Sequence, residues 1–363
     1  MTLIAWFIFV FALVRLMVAT INLIFNPRLK SVNLKKEPFV SVLIPARNEE
    51  ANITNILNDI IKQQYKNLEI IVFNDDSGDN TQHIVEQFSL ENEEIRLINA
   101  GKLPEKWLGK NYACHVLGQN ANGNYFLFLD ADVRISDTLI ANAVAHLQEK
   151  KLGLLSIFPV QQMKTTGEKI VVPVMNMILL TLLPLILVRV SQRPSLAAAN
   201  GQFMLFDSLH YKKIRPHEKV KDNKVEDIAI ARYYKKEGIR IDCLTGNDSI
   251  RCRMYKNYTE AVNGFSKNMA AFFGNSRLLA ILYWLITTFG FIAILFKLSY
   301  IIFIIYLIIS LFNIIFVSII SQQSIIMNLI FSIPRQWASG YINYKACRNY
   351  FLKSYKWKGR DIK

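Results

Sequence analysis

The chain divides into stretches with different hydrophobic patterns. Residues 3–25 are apolar except for Arg15 and Asn22, about the 20 residues a helix needs to cross a hydrocarbon core. Residues 278–296 make a second run, charge-free between Arg277 and Lys297. Residues 298–333 also carry no charge, but at 1.5 Å per helical residue they exceed one crossing and fall short of two. The pattern predicts a span over 298–320, a break at Ser321-Gln322-Gln323-Ser324, and a short interfacial stretch. A fourth apolar run, 170–188, is interrupted by Pro173, Asn176, Thr181 and Pro184.

Between these runs, residues 38–165 read as a soluble α/β unit. Residues 39–45 are a short apolar, β-branched run ending in Pro45, as expected of a buried parallel strand. Over residues 49–64, Ile53, Ile56, Leu57, Ile60 and Ile61 fall on one helical face. Further strands are predicted at 68–73, 95–98 and 125–129, with a helix over 81–88. This βαβα alternation predicts an α/β fold with a Rossmann-like, mostly parallel sheet, whose ligands bind beyond the carboxyl ends of the strands. The polar clusters fall at those ends: Arg47-Asn48-Glu49, Asn74-Asp75-Asp76, and Asp130-Ala131-Asp132.

Charge adds a direction. With 43 Lys and Arg against 28 Asp and Glu, the formal charge is +15. The basic residues flank the apolar runs, as in Arg28, Lys30, Lys35 and Lys36, or Lys353, Lys356, Lys358 and Arg360. That placement suits anionic lipid headgroups rather than nucleic acid, which is excluded as a partner. The turn between the two C-terminal spans holds only Lys297, so the positive-inside rule puts the middle domain and the tail in the cytosol. Met1-Thr2-Leu3 lacks the basic start of a signal peptide, so the first run reads as an anchor. Cys114, Cys243, Cys252 and Cys347 form no CxxC pair or Cys/His cluster and read as reduced packing residues. The expected organisation is an anchor over 1–26, a cytosolic catalytic domain over 38–275, transmembrane helices within 278–333 and a basic tail over 334–363. The expected location is the inner cell membrane, crossed more than once. If the run near 170–190 crossed as well, the two halves of the proposed site would lie on opposite sides of the bilayer. It is therefore expected to be interfacial or re-entrant, with a core helix as the alternative.

The successive motifs Ser41-Val42-Leu43-Ile44-Pro45-Ala46-Arg47-Asn48-Glu49, Asn74-Asp75-Asp76-Ser77-Gly78-Asp79 and Asp130-Ala131-Asp132 resemble those of family 2 glycosyltransferases with the GT-A fold. Glu226-Asp227 and Arg251-Cys252-Arg253-Met254-Tyr255 fit that family's later motifs, and Trp107-Leu108-Gly109-Lys110 is similar to a pattern in members that glycosylate carotenoids or hopanoids. The resemblance implies an inverting transfer from a nucleotide-sugar, with Asp75 on a uracil-type base, Pro45, Arg47 and Glu49 bordering the nucleotide, and Asp130 near the ribose or a metal-bound water. It implies that Asp132 contacts a metal. Two carboxylates at one strand end, both hard oxygen donors, suit Mg²⁺ or Mn²⁺ held partly by a substrate diphosphate.

Asp227 is the expected general base, taking the proton of an acceptor hydroxyl. Arg253 could compensate diphosphate charge, and Lys110 is a candidate for phosphate or acceptor. The family's usual first Asp is Asn74 here, and Ile250 and Met254 replace the Gln and Trp of its Gln-x-x-Arg-Trp pattern. The incomplete pattern favours transfer of one sugar to a lipid-like acceptor over polymer synthesis. The alternatives are transfer to a polyprenyl phosphate, polysaccharide synthesis, and a non-enzymatic membrane scaffold.

Overall fold

In a computed structural model the structure describes residues 1–25, 27–32 and 36–352, together with the backbone alone of 356–357 and 360–361. Lys35 and the basic residues Lys353, Lys356, Lys358 and Arg360 lie outside the residues whose side chains are described.

Ten strands carry the middle of the chain: β1 (Val40–Ala46), β2 (Leu68–Asn74), β3 (Ile95–Asn99), β4 (Tyr125–Leu129), β5 (Val133–Ile135), β6 (Leu154–Phe158), β7 (Val160–Gln161), β8 (Phe203–Asp207), β9 (Ile241–Thr245) and β10 (Ile250–Cys252). Seven of them form one sheet in the order β3-β2-β1-β4-β8-β6-β9. The pairings β1–β2, β1–β4, β2–β3 and β6–β9 are parallel, while β8 runs antiparallel to both of its neighbours. All strands but β8 therefore point the same way, and the loops after β1, β2 and β4 emerge on one edge. The pleat separates two cores. Val42, Ile44, Val72, Leu127 and Leu129 pack on one face with the Ile53–Ile61 helix. Leu43, Ile71, Phe73, Phe126 and Phe128 pack on the other, under the Gly109–Asn120 helix. A small second sheet, β5-β10-β7, flanks the first.

Among the described residues, three helices are long and apolar enough to cross a membrane: Thr2–Phe25, Arg277–Lys297 and Tyr300–Ile320. They share a small core of Ile8, Ala12, Ile294, Tyr306 and Ile309. Gly290 lets two helices meet closely, since a Cβ there would lie 2.7 Å from Ile8 Cγ2. The central apolar run is broken into Thr166–Val171, Pro173–Leu182 and Ile186–Val190 helices of 6, 10 and 5 residues, each too short to span. Pro173 starts a fresh helix because it has no N–H to donate. The two polar interruptions of the first helix serve this run. Asn22 Nδ2 donates to Leu180 O and Leu183 O, and its Oδ1 accepts from Leu185 N. Arg15 Nε donates to Thr181 Oγ1 at 3.2 Å.

The break expected at 321–324 is present: Gln322 adopts a left-handed turn (φ 53°), and a short Ile325–Ile330 helix follows. The stretch beyond 334, expected as a tail, instead opens with a helix over Ser332–Phe351. Its Ala338, Ile342 and Ala346 recur every fourth residue and pack with Val262, Phe265 and Met269 of the Tyr258–Phe272 helix.

Candidate active site

A cavity of about 550 Å³ opens at the carboxyl edge of the main sheet. Pro45, Arg47, Glu49, Asp75, Lys110, Asp130, Asp132 and Asp227 all line it, although they come from five separate stretches of chain. The loop after β1 is laced to the loop after β2. Arg47 Nη1 donates to Asp75 O and, at 2.8 Å, to Asp76 O. Asn48 N donates to Ser77 Oγ, and Asn48 Oδ1 accepts from Gly78 N. Asn48 and Asp76 have φ of 52° and 53°, a region Asn and Asp tolerate well. Asn74 turns back into the sheet, donating to Gln82 and Asn99 side chains. Asp75, nearly buried, is left on the cavity wall.

Below β4, Lys110 reaches from the first turn of the Gly109–Asn120 helix to Asp130, with Nζ 2.8 Å from Oδ1, and to Glu226 Oε1 at 3.4 Å. Burial works against the lysine's charge, but the carboxylates of Asp130 and Glu226 outweigh it and hold its pKa well above the ordinary value. Asp132 lies beside the Cys252 thiol, which hydrogen-bonds to it, while Gln202 Nε2 donates to Cys252 Sγ at 2.7 Å.

Asp227 lies in the first turn of the Glu226–Lys236 helix and lines the same cavity. Its Oδ2 accepts from Gly201 N at 3.0 Å and its Oδ1 from Ile228 N at 2.7 Å. Burial, followed by repulsion from Glu226, pushes its carboxyl up to about 7, against the pull of Lys110 and the two peptide donors. A carboxylate with that pKa is matched to proton transfer at neutral pH.

Arg253 is placed elsewhere. It does not appear on the cavity wall. Its Nη2 lies 2.8 Å from Oε1 of the fully buried Glu168, which also closes the capping box of the Thr166–Val171 helix. Several cavity residues carry no individual signal in the sequence. Asn111 Nδ2 donates to Val220 O, Lys221 O and Asn223 O, and so holds the loop that delivers Glu226 and Asp227. Gly201 lets that backbone come close: a Cβ would lie 3.2 Å from Glu226 Oε1 and 3.3 Å from Lys110 Nζ. Lys224, Lys267 and Tyr255 complete the wall. Asn111, directly after the Trp107–Lys110 motif, and Tyr255, at the end of the Arg251–Tyr255 motif, had a neighbouring signal that could have pointed to them.

Residues 41–189 match the family described as Glycosyl transferase family 2. That stretch is a family 2 glycosyltransferase domain. The chain is 26% identical over 234 residues to a 4,4'-diaponeurosporenoate glycosyltransferase of Staphylococcus haemolyticus, covering 64% of this chain and 61% of that protein. It thus spans somewhat less than two thirds of that relative. It is 27% identical over 278 residues to the Staphylococcus aureus (strain USA300) protein of the same name, covering 72% and 71% of the two chains. In three dimensions it is similar to a mannosyltransferase of Pyrobaculum calidifontis in complex with GDP-Man and Mn2+. That likeness has a TM-score of 0.59 and 16% identity, over 97% of this chain and 99% of the other. The glycosyltransferase domain therefore has the GT-A fold, with its one reversed strand and its strand-end acids.

The donor set of the domain suits a divalent cation. Among the described residues no three His, Cys, Asp or Glu side chains form a closed cage. Asp130 and Asp132 instead offer oxygen ligands on an open cavity, leaving positions for a substrate's own oxygens.

Proposed function

We propose that the chain moves a single sugar from a nucleotide-diphosphate-sugar, of the UDP type, to a lipid-like acceptor at the cytoplasmic face of a membrane, with inversion at the anomeric carbon. The reading is carried by one observation: acids from the ends of β2 and β4 and from the Glu226–Lys236 helix all line one cavity. Three long apolar helices support the membrane setting, and the names of the Staphylococcus relatives support an apolar isoprenoid acceptor.

Asp75, Arg47, Glu49 and Pro45 would hold the nucleoside end. Asp132, helped by Asp130, would hold a Mg²⁺ or Mn²⁺ ion, as the Pyrobaculum neighbour's complex holds Mn2+. When bound, that ion would offset the charge growing on the leaving diphosphate. Asp227 accepts the hydroxyl proton as the acceptor oxygen bonds to the anomeric carbon. The bond to the diphosphate breaks, and the nucleoside diphosphate departs with its electron pair. Lys110 keeps Asp130 and Glu226 compensated, so the ribose-side carboxylate stays fixed while the base stays available. Lys224 and Lys267, both on the cavity wall, add positive charge beside the diphosphate path.

The test is to incubate the purified protein in lipid vesicles with radiolabelled nucleotide-sugars, extract the lipid and separate it by thin-layer chromatography. A labelled lipid formed by wild type and lost in Asp132→Asn and Asp227→Asn is expected. A labelled lipid formed equally by both variants would overturn the reading.

A further inference from the structure

A second, smaller cavity lies outside the proposed reaction site. It has a volume of about 200 Å³ and forms where β7 and the Thr166–Val171 helix meet the turn after the Tyr300–Ile320 span. Gln161, Lys169, Gln322, Gln323, Ser324 and Asn328 give it a polar wall, and among the described residues Lys169 is the only ionisable side chain on it. Two of these residues are more than nine-tenths buried and each leaves a polar atom unused. Gln323 Nε2 and Gln161 Oε1 find no hydrogen-bond partner among the described residues. Both atoms have been taken out of water without replacement, which folded proteins rarely tolerate unless something else occupies the space.

The surroundings favour an anion. Asn328 donates to Gln323 Oε1 and Ser318 Oγ, and its own carbonyl oxygen accepts from the buried Arg335 at 2.7 Å. That cation stands one residue behind the wall. Among the described residues no acid lines the cavity. The position is equally telling, because the cavity sits at the end of an apolar 21-residue span, where hydrocarbon gives way to headgroups.

We propose that this cavity seats the phosphate of an anionic lipid headgroup, with Lys169 facing its charge, Gln323 donating to a phosphate oxygen and Gln161 accepting from a headgroup hydroxyl. The site is not isolated from the larger cavity. Gln161 Nε2 donates to Gln202 Oε1 at 3.3 Å, and Gln202 lines the reaction site beside Cys252. A headgroup on Gln161 would therefore steady the side-chain chain that runs to Asp132. The inference rests on the Tyr300–Ile320 helix lying in a bilayer and on none of the proposed sugar chemistry.

The experiment uses the full chain purified in a non-ionic detergent. Phosphatidylglycerol, phosphatidylcholine and inorganic phosphate are titrated separately and bound ligand is counted by native mass spectrometry. Wild type should retain phosphatidylglycerol in preference to phosphatidylcholine, and Lys169→Met should weaken that binding by about fivefold, the usual worth of one lysine near anionic lipid. Gln323→Leu should weaken it further. Lys169 is half-exposed, so its variant carries the test even if Gln323→Leu fails to fold. Lys62→Met, an exposed lysine at the end of the Ile53–Ile61 helix, should leave binding unchanged. Equal retention of both lipids, equal losses in Lys62→Met and Lys169→Met, or an unaffected Lys169→Met would each overturn the proposal. Inorganic phosphate binding as tightly as phosphatidylglycerol would overturn the lipid as the source and leave a free-phosphate site.

Discussion

Asp130 and Asp227 are the same side chain on two walls of one cavity, in opposite electrostatic company. Asp130 follows a strand and is held by Lys110 at 2.8 Å. Asp227 begins a helix beside another acid, Glu226, with only peptide N–H groups on its own oxygens, and its carboxyl is pushed up to about 7. The difference shows how one residue type serves two roles: a charged neighbour makes a ligand, and burial beside a like charge makes a base.

The largest change is expected at the β4 end. Chelation of divalent ions, or Asp132→Asn, should lower sugar transfer about a thousandfold or more, measured as labelled product per minute, because several kcal/mol of charge stabilisation are removed. Asp227→Asn should cost roughly a hundredfold to ten-thousandfold in kcat and abolish the acid limb of the pH profile. Wild-type kcat/KM should fall tenfold per pH unit below about 7, the value to which the Asp227 carboxyl is pushed. An anionic acceptor needs no base, so an undiminished rate in Asp227→Asn would redirect the reading to polyprenyl phosphate.

Lys110→Met breaks the contrast itself. Losing the lysine leaves Asp130 and Glu226 uncompensated and removes a charge that holds Asp227 down, so the acid limb should move to higher pH, with roughly a tenfold lower rate at pH 7. Stability supplies a signed check on the same group. Folding raises the Asp227 pKa from 3.8, so its charge opposes the folded state above pH 7 and this cost fades as pH falls through that value. Asp227→Asn should thus melt higher than wild type at pH 8, with the gap closing toward pH 5. Gly201→Ala should have the smallest effect, a loss of a few fold, since Glu226 and Lys110 must shift by only tenths of an ångström.

The parts of this arrangement that could be read from the sequence are those written locally. The strands at β1, β2 and β4 stood out by apolar runs that stop at polar clusters, and the three long apolar helices by length almost without charge. What stayed hidden depends on contacts made far along the chain. Arg253 read as a phosphate ligand because its partner Glu168, 85 residues away, lies in an unremarkable Thr-x-x-Glu cap. The reversed direction of β8 leaves no mark in a strand pattern, since alternation is the same either way. The Ser332–Phe351 helix was masked by its basic composition, although Ala338, Ile342 and Ala346 already carried the spacing of a buried face. Asn111 looked like any polar helix residue until the 220–223 loop folded onto it.

The first helix has a consequence for anyone who would shorten the chain. Asn22 satisfies two carbonyls and one amide at the break between two short helices of the middle domain, and Arg15 reaches Thr181 beside it. Arg28, just beyond, donates to Ile319 O and Ile320 O at the end of the Tyr300–Ile320 helix. A version starting after residue 26 would keep Arg28 but leave bare the groups that Asn22 and Arg15 hold, and would uncover the apolar side of the Pro173–Leu182 helix. Deleting the leading segment would then yield aggregating material instead of a water-soluble catalyst, because the segment is a wall of the domain.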